Sequence, residues 1–139
     1  MIDFPTVFKE VCCGDGVAQN FCMVMLAHVH TLDDLIDRDK ALSPSDVAGE
    51  DFRFIYTLAT NTFFQKHKEV LMPTLLIGGI AWRDSEDWKN RPHPLDKLAS
   101  QVLKSQYQDI FTLVAFLCGG QTHAMEMARK HRNYNWDRA

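Results

Sequence analysis

Four aspartates fall within seven residues of this sequence, in the stretch His30-Thr31-Leu32-Asp33-Asp34-Leu35-Ile36-Asp37-Arg38-Asp39. Carboxylates so crowded do acid–base chemistry or hold hard cations. On a helix Asp33 and Asp37 are one turn apart, with Cβ atoms about 5–6 Å from each other, and Asp34 lies one step round. The helical pattern that carries them ends here. A helix C-terminus bears roughly half a negative charge, so each acid costs about 0.3–1 kcal/mol, and the like-charged pair adds to that. A sequence chosen for stability alone would place Lys or Arg at these positions. A divalent cation reverses the sign, because hard ions take carboxylate oxygens readily. Backward along the same face stand Val29, Leu26 and Cys22, so the acids extend an apolar stripe. The spacing predicts metal binding at Asp33, Asp34 and Asp37. Against it stands a solvated helix end, on which Arg38 pairs with Asp34 and Lys40 with Asp37.

The elements that must position these residues read as helices throughout. No Val, Ile or Thr run alternates long enough for a strand, and no hairpin dipeptide joins two such runs. A first helix is expected over about 5–13, with Pro5 in its first turn and Gly14 ending it. A second covers about 17–39, with Phe21, Met25, His28, Leu32 and Leu35 in one stripe. Ser43-Pro44-Ser45-Asp46 supplies a capped start for a third, which carries Phe52, Ile55, Ala59 and Phe63 on one side and fades near His67. Pro73 opens a fourth, or kinks one begun near Lys68, and that helix runs to about Trp88 before Pro92 and Pro94. Gly78-Gly79 within it permits a close helix contact or a kink. A fifth begins near Leu95 and carries Leu98, Val102, Ile110, Val114 and Leu117. Gly119-Gly120 breaks or bends it, and a last helix reaches about Arg132. The expected fold is all-α, a single-domain bundle of five or six helices over 1–139.

The segment Asp33-Asp34-Leu35-Ile36-Asp37 resembles DDxxD, the first aspartate-rich motif of class I isoprenoid synthases, the family of trans-prenyl diphosphate synthases and terpene cyclases. The resemblance implies an all-α bundle in which Mg²⁺ held by Asp33 and Asp37, supported by Asp34, binds a substrate diphosphate. It also implies a second motif. Gln101-x-x-x-Ser105-x-x-x-Asp109 has that motif's spacing, with an amide first and a shorter acid last. Asp84-Ser85-Glu86-Asp87 is the other candidate: if the helices alternate up and down, Asp84 and Asp87 face Asp33 and Asp37. The Arg-Tyr pair that cyclases use for diphosphate has a loose echo in Arg132-Asn133-Tyr134. Family members are much longer than 139 residues, and the clean second motif is missing.

The remaining residues take plainer readings. Arg129, Lys130, His131 and Arg132 form the one dense basic run, either a diphosphate contact or a favourable helix C-terminus. His28 is expected in the core, with hydrogen bonds; His30 could orient Asp33 or Asp34. Trp82, Trp88 and Trp136 are expected to pack. His123 and Glu126 are in the reverse of the Glu-x-x-His order, which excludes a ferritin-like di-iron site. Cys12, Cys13, Cys22 and Cys118 lack zinc spacing and read as reduced, mostly buried thiols of a cytoplasmic protein.

The balance of 15 Lys and Arg against 18 Asp and Glu, net charge −3, disfavours broad nucleic-acid binding. The apolar runs 71–82 and 111–118 are shorter than the roughly 20 residues of a membrane span. The first residues, with Asp3 and no basic segment, lack the pattern of a secretory signal. Two other function classes remain beside the Mg²⁺-dependent diphosphate reading. One is an all-α nucleotide pyrophosphohydrolase built on Asp33/Asp37 and Asp84/Asp87. The other is a non-catalytic helical interaction or structural protein, for which a homodimer is the candidate assembly.

Overall fold

The computed structural model describes residues 2–37 and 41–132. Among them are six α-helices and no strand: α1 (Phe4–Val11), α2 (Gly16–Asp37), α3 (Pro44–Thr60), α4 (Thr62–Trp88), α5 (Pro94–Lys104) and α6 (Asp109–His131). A short 3₁₀ segment, Ser105–Gln108, joins α5 to α6. The protein is all-α. Its described residues pack as two compact units, 2–67 and 68–132, divided within α4.

In the first unit local chemistry sets the helix ends. Asp3 caps α1 by accepting from the Thr6 amide at 3.3 Å and the Thr6 hydroxyl at 2.6 Å, and those bonds hold its carboxyl below the usual range. α1 ends in a turn where Gly14 N–H donates to Lys9 O and Cys13 N–H to Glu10 O, with positive φ at Cys13 (52°) and Gly14 (80°). This is the paired-bond pattern that satisfies terminal carbonyls. The expected box at Ser43 is present: Asp46 N–H donates to Ser43 Oγ and Ser43 N–H to Asp46 Oδ2, both at 3.0 Å.

Two side-chain contacts set α1 antiparallel to α2, Phe4 on His30 and Cys12 beside Cys22. Asn61 to Val17 and Phe54 to His28 do the same for α3. The core comprises Phe8, Val11, Phe21, Met25 and Leu26, closed by Phe63 and Phe64 from the start of α4.

α3 does not fade at His67, as the apolar period suggested. It stops at Asn61, whose backbone turns extended at ψ 116° and whose side chain starts the next helix. Asn61 Oδ1 accepts from Phe64 N–H at 2.9 Å while Nδ2 donates to Val17 O at 3.0 Å. α4 then runs unbroken through Pro73.

In the second unit Gly78 makes the close contact its lack of a side chain permits: an added Cβ would lie 3.4 Å from Tyr107 Cα. The expected long fifth helix is divided by Ser105–Gln108, where Ser105 Oγ donates back to Val102 O at 2.8 Å. Gly120, at φ 86° and ψ −176°, leaves helical geometry inside α6. A straight helix of 23 residues would separate its ends by about 34 Å. Yet Arg132 Nη2 donates to Asp109 Oδ1 at 3.0 Å. α6 is therefore a hairpin of two matched arms, 109–119 and 121–131. Ile110, Phe111, Val114 and Ala115 on one arm and Ala124 and Met127 on the other are buried.

Several expected core stripes are instead exposed. Phe52 and Ile55 on α3 are 70% and 56% open, and Leu98 and Val102 on α5 are likewise outside. On α4 Leu76, Ile77 and Ile80 also face solvent. Helical period identifies an apolar face without saying what covers it.

Candidate functional site

The acidic residues emerge from the last turns of α2, a helix with no basic residue in its final turn. Their burial follows the stripe read from the sequence. Cys22 and Leu26 are buried, Val29 is half-buried, and Asp33 on the same face is only 5% exposed. Asp34 is half-buried and Asp37 open. One face thus passes from core to solvent between two carboxylates one turn apart. The neighbouring stripe does the same: Phe21 and Met25 are buried, while Leu32 and Leu35 are exposed.

His30, between this stripe and α1, meets the Phe4 ring edge-on at 6.1 Å. His28 stacks on Phe54, with ring centroids 3.9 Å apart and planes at 9°. Burial pushes its imidazole below its ordinary pKa, against the opposing pull of Glu50 and Asp51. Arg38, Asp39 and Lys40, the compensating and additional charges of the motif, lie outside the described residues.

The other candidates belong to the second unit. Asp84 and Asp87 are in the last turns of α4, where Arg83 Nη2 lies 3.4 Å from Asp84 Oδ1. Beside them Glu86 pairs with Lys89, and Trp82 Nε1 is buried without a hydrogen-bond partner. Trp88 lies under the Arg91 guanidinium, 4.6 Å from its ring centroid. Gln101, Ser105 and Asp109 do not share one helix. They fall on α5, the 3₁₀ segment and α6 respectively. Gln101 is exposed, and Asp109 is engaged by Arg132. The break after Lys104 therefore disperses the second-motif spacing. Arg129 and Lys130 are exposed on the last turn of α6, and Arg132 follows as its cap. Tyr134 and Trp136 lie outside the described residues.

Among the described residues no three His, Cys, Asp or Glu side chains converge as a metal-holding group. Zinc would require such a set. Mg²⁺ commonly takes one or two carboxylates and fills its remaining positions with water and phosphate oxygens. Asp33 and Asp37 on one helical face fit that smaller demand.

One concavity of about 370 Å³ escaped sequence reasoning. It is lined by Gly16, Val17 and Asn20 of α2, Tyr56, Thr57 and Thr60 of α3, and Asn61 and Thr62. Its volume is at the lower end of the range for small-molecule pockets, and its lining is uncharged. It opens at the start of α2, about 25 Å of helix away from Asp33. The acids and the concavity are separate features. It lies where α3 stops at Asn61, and no residue pattern announces that break.

Compared with known proteins, the chain matches no family model, and no curated protein or solved structure shows significant similarity to it. No helix among the described residues is long and apolar enough to cross a membrane.

Proposed function

We propose that the acidic end of α2 binds Mg²⁺ through Asp33 and Asp37, with Asp34 in support, and through the metal a diphosphate-bearing, isoprenoid-like ligand. The observation that carries this reading is the burial of Asp33 at the negative end of α2. A carboxylate in that position opposes the helix dipole and has two further acids within about one turn of chain, and a cation offsets both terms. Bound metal would supply charge stabilisation for a diphosphate group. The protein's own part is to fix the two oxygens on a rigid helix. The proposal is for binding, the step on which any turnover of such a ligand depends.

The test is a thermal melt with and without Mg²⁺ and pyrophosphate, on wild type and on Asp33→Asn/Asp37→Asn. A ligand at about 100 times its Kd stabilises by about 2.7 kcal/mol, so wild type should melt several degrees higher with both present. The double variant should not respond. Equal melting temperatures for wild type under all conditions refute the reading.

A second reading, a non-catalytic interaction protein that pairs with a second copy of itself, is favoured by the open face of α4. Pro73, Leu76, Ile77 and Ile80 recur at helical spacing and all are exposed, and contiguous apolar surface of this kind marks association sites. Concentration-dependent sedimentation, abolished by Leu76→Glu/Ile77→Lys, would support it. A monomer at all concentrations refutes it.

A further inference from the structure

The turn between α1 and α2 brings two sulfur atoms together that ten residues of sequence separate. Cys12 and Cys22 are fully buried, and their Sγ atoms lie 3.8 Å apart. We propose that Cys12 and Cys22 are a dithiol site that hydrogen peroxide oxidises to a disulfide, stapling α1 to α2.

Geometry supports this in two ways. The sulfurs already touch, and a disulfide requires about 2.05 Å, so about 1.8 Å remains to be closed by two side chains. The helices also keep that register along their length, because Phe4 meets His30 two turns further on. Adjacent Cys12 and Cys13 look like the natural pair in sequence. In the structure Cys12 points into the core whereas Cys13 is exposed.

The chemistry balances with the oxidant named. The thiolate of one cysteine attacks a peroxide oxygen; an S–O bond forms, the O–O bond breaks, and one water leaves. The second thiol attacks the sulfenic sulfur; an S–S bond forms, the S–O bond breaks, and a second water leaves. The two sulfurs lose two electrons, hydrogen peroxide gains them, and both thiol protons end in water. Buried thiols react slowly in apolar surroundings. Here the turn provides access. Cys12 is the last residue before backbone held at positive φ in Cys13 and Gly14, so local opening of the turn exposes it while α2 stays folded.

The test treats wild type and Cys13→Gly with hydrogen peroxide, then unfolds, alkylates and maps peptides without reduction. Glycine suits the positive φ at position 13, so this variant removes the competing exposed thiol without straining the turn. Before alkylation the expected product is about 2 Da lighter; after it, the product contains a cross-link pairing Cys12 with Cys22 and leaves Cys118 alkylated. Its melting temperature should rise by about 5–10 °C and return on addition of dithiothreitol. Cys22→Ala should give no cross-link. The proposal is overturned if Cys12 and Cys22 both remain alkylatable once Cys13 of wild type is oxidised. Cross-links to Cys13 or between chains, or sulfinic acid in place of the disulfide, overturn it equally.

Discussion

Asn61 does two jobs with one side chain, and replacing it separates them. Its Oδ1 caps α4 by accepting from Phe64 N–H, while its Nδ2 reaches Val17 O and ties that cap to the start of α2. Loss of an N-cap costs about 1 kcal/mol. Losing the bond to the Val17 carbonyl, together with the packing of a side chain only 7% exposed, costs about 1–2 kcal/mol more. Asn61→Ala should therefore lose about 2–3 kcal/mol. Unfolding entropy near 2.1 cal/mol/K per residue over 139 residues gives about 0.3 kcal/mol/K, so the melting temperature should fall by about 7–10 °C. Asn61→Ser keeps a capping oxygen but cannot reach Val17, and should lose about half as much. Urea titrations and thermal melts followed by circular dichroism measure both. A loss below about 0.5 kcal/mol for Asn61→Ala, or equal losses for the two variants, would refute the division of labour.

Two further outcomes follow from the same geometry. Burial lowers the His28 pKa, so the folded state holds that proton less tightly than the unfolded chain. Stability from this group is complete above its ordinary value and falls as pH drops below about 6.5. His28→Phe, which keeps an aromatic partner for Phe54, should flatten the decline in melting temperature between neutral and mildly acid pH. An unchanged slope contradicts the assignment. Gly120→Ala places a side chain where φ is 86° and ψ −176°, at a cost of about 1–3 kcal/mol. Chemical denaturation should show that loss, and a wild-type midpoint would argue against the bend.

Much of the helix grammar was legible because it is local. Ser43-Pro44-Ser45-Asp46 contains a complete cap within four residues, and Gly119-Gly120 marks the bend without reference to anything distant. Asn61 was not legible, because Phe52, Ile55, Ala59 and Phe63 maintain helical period straight across it. What ends the helix is a hydrogen bond to Val17, 44 positions away. Pro73 misleads in the opposite sense: proline usually opens a helix, yet here α4 has begun eleven residues earlier. At the acidic end, the rise from Cys22 and Leu26 to Asp33 was readable as a stripe, and Asp33 is indeed buried. The second motif failed because equal spacing of Gln101, Ser105 and Asp109 has meaning only on one continuous helix. The sulfur pair was invisible for a related reason: it depends on the antiparallel register of α1 against α2.

The return of α6 on itself bears on how quickly the second unit can form. Asp109 and Arg132, the residues that clasp its two ends, are 23 positions apart, and nearer partners lie progressively closer to Gly120. Loop-closure entropy rises only with the logarithm of length, so each successive pair in such a zipper adds little entropic cost to the one before. Local connectivity of this sort goes with rapid folding. With the bend formed first and the clasp last, substitutions around Gly120 act on the folding rate, and those at Asp109 or Arg132 act on the rate of unfolding.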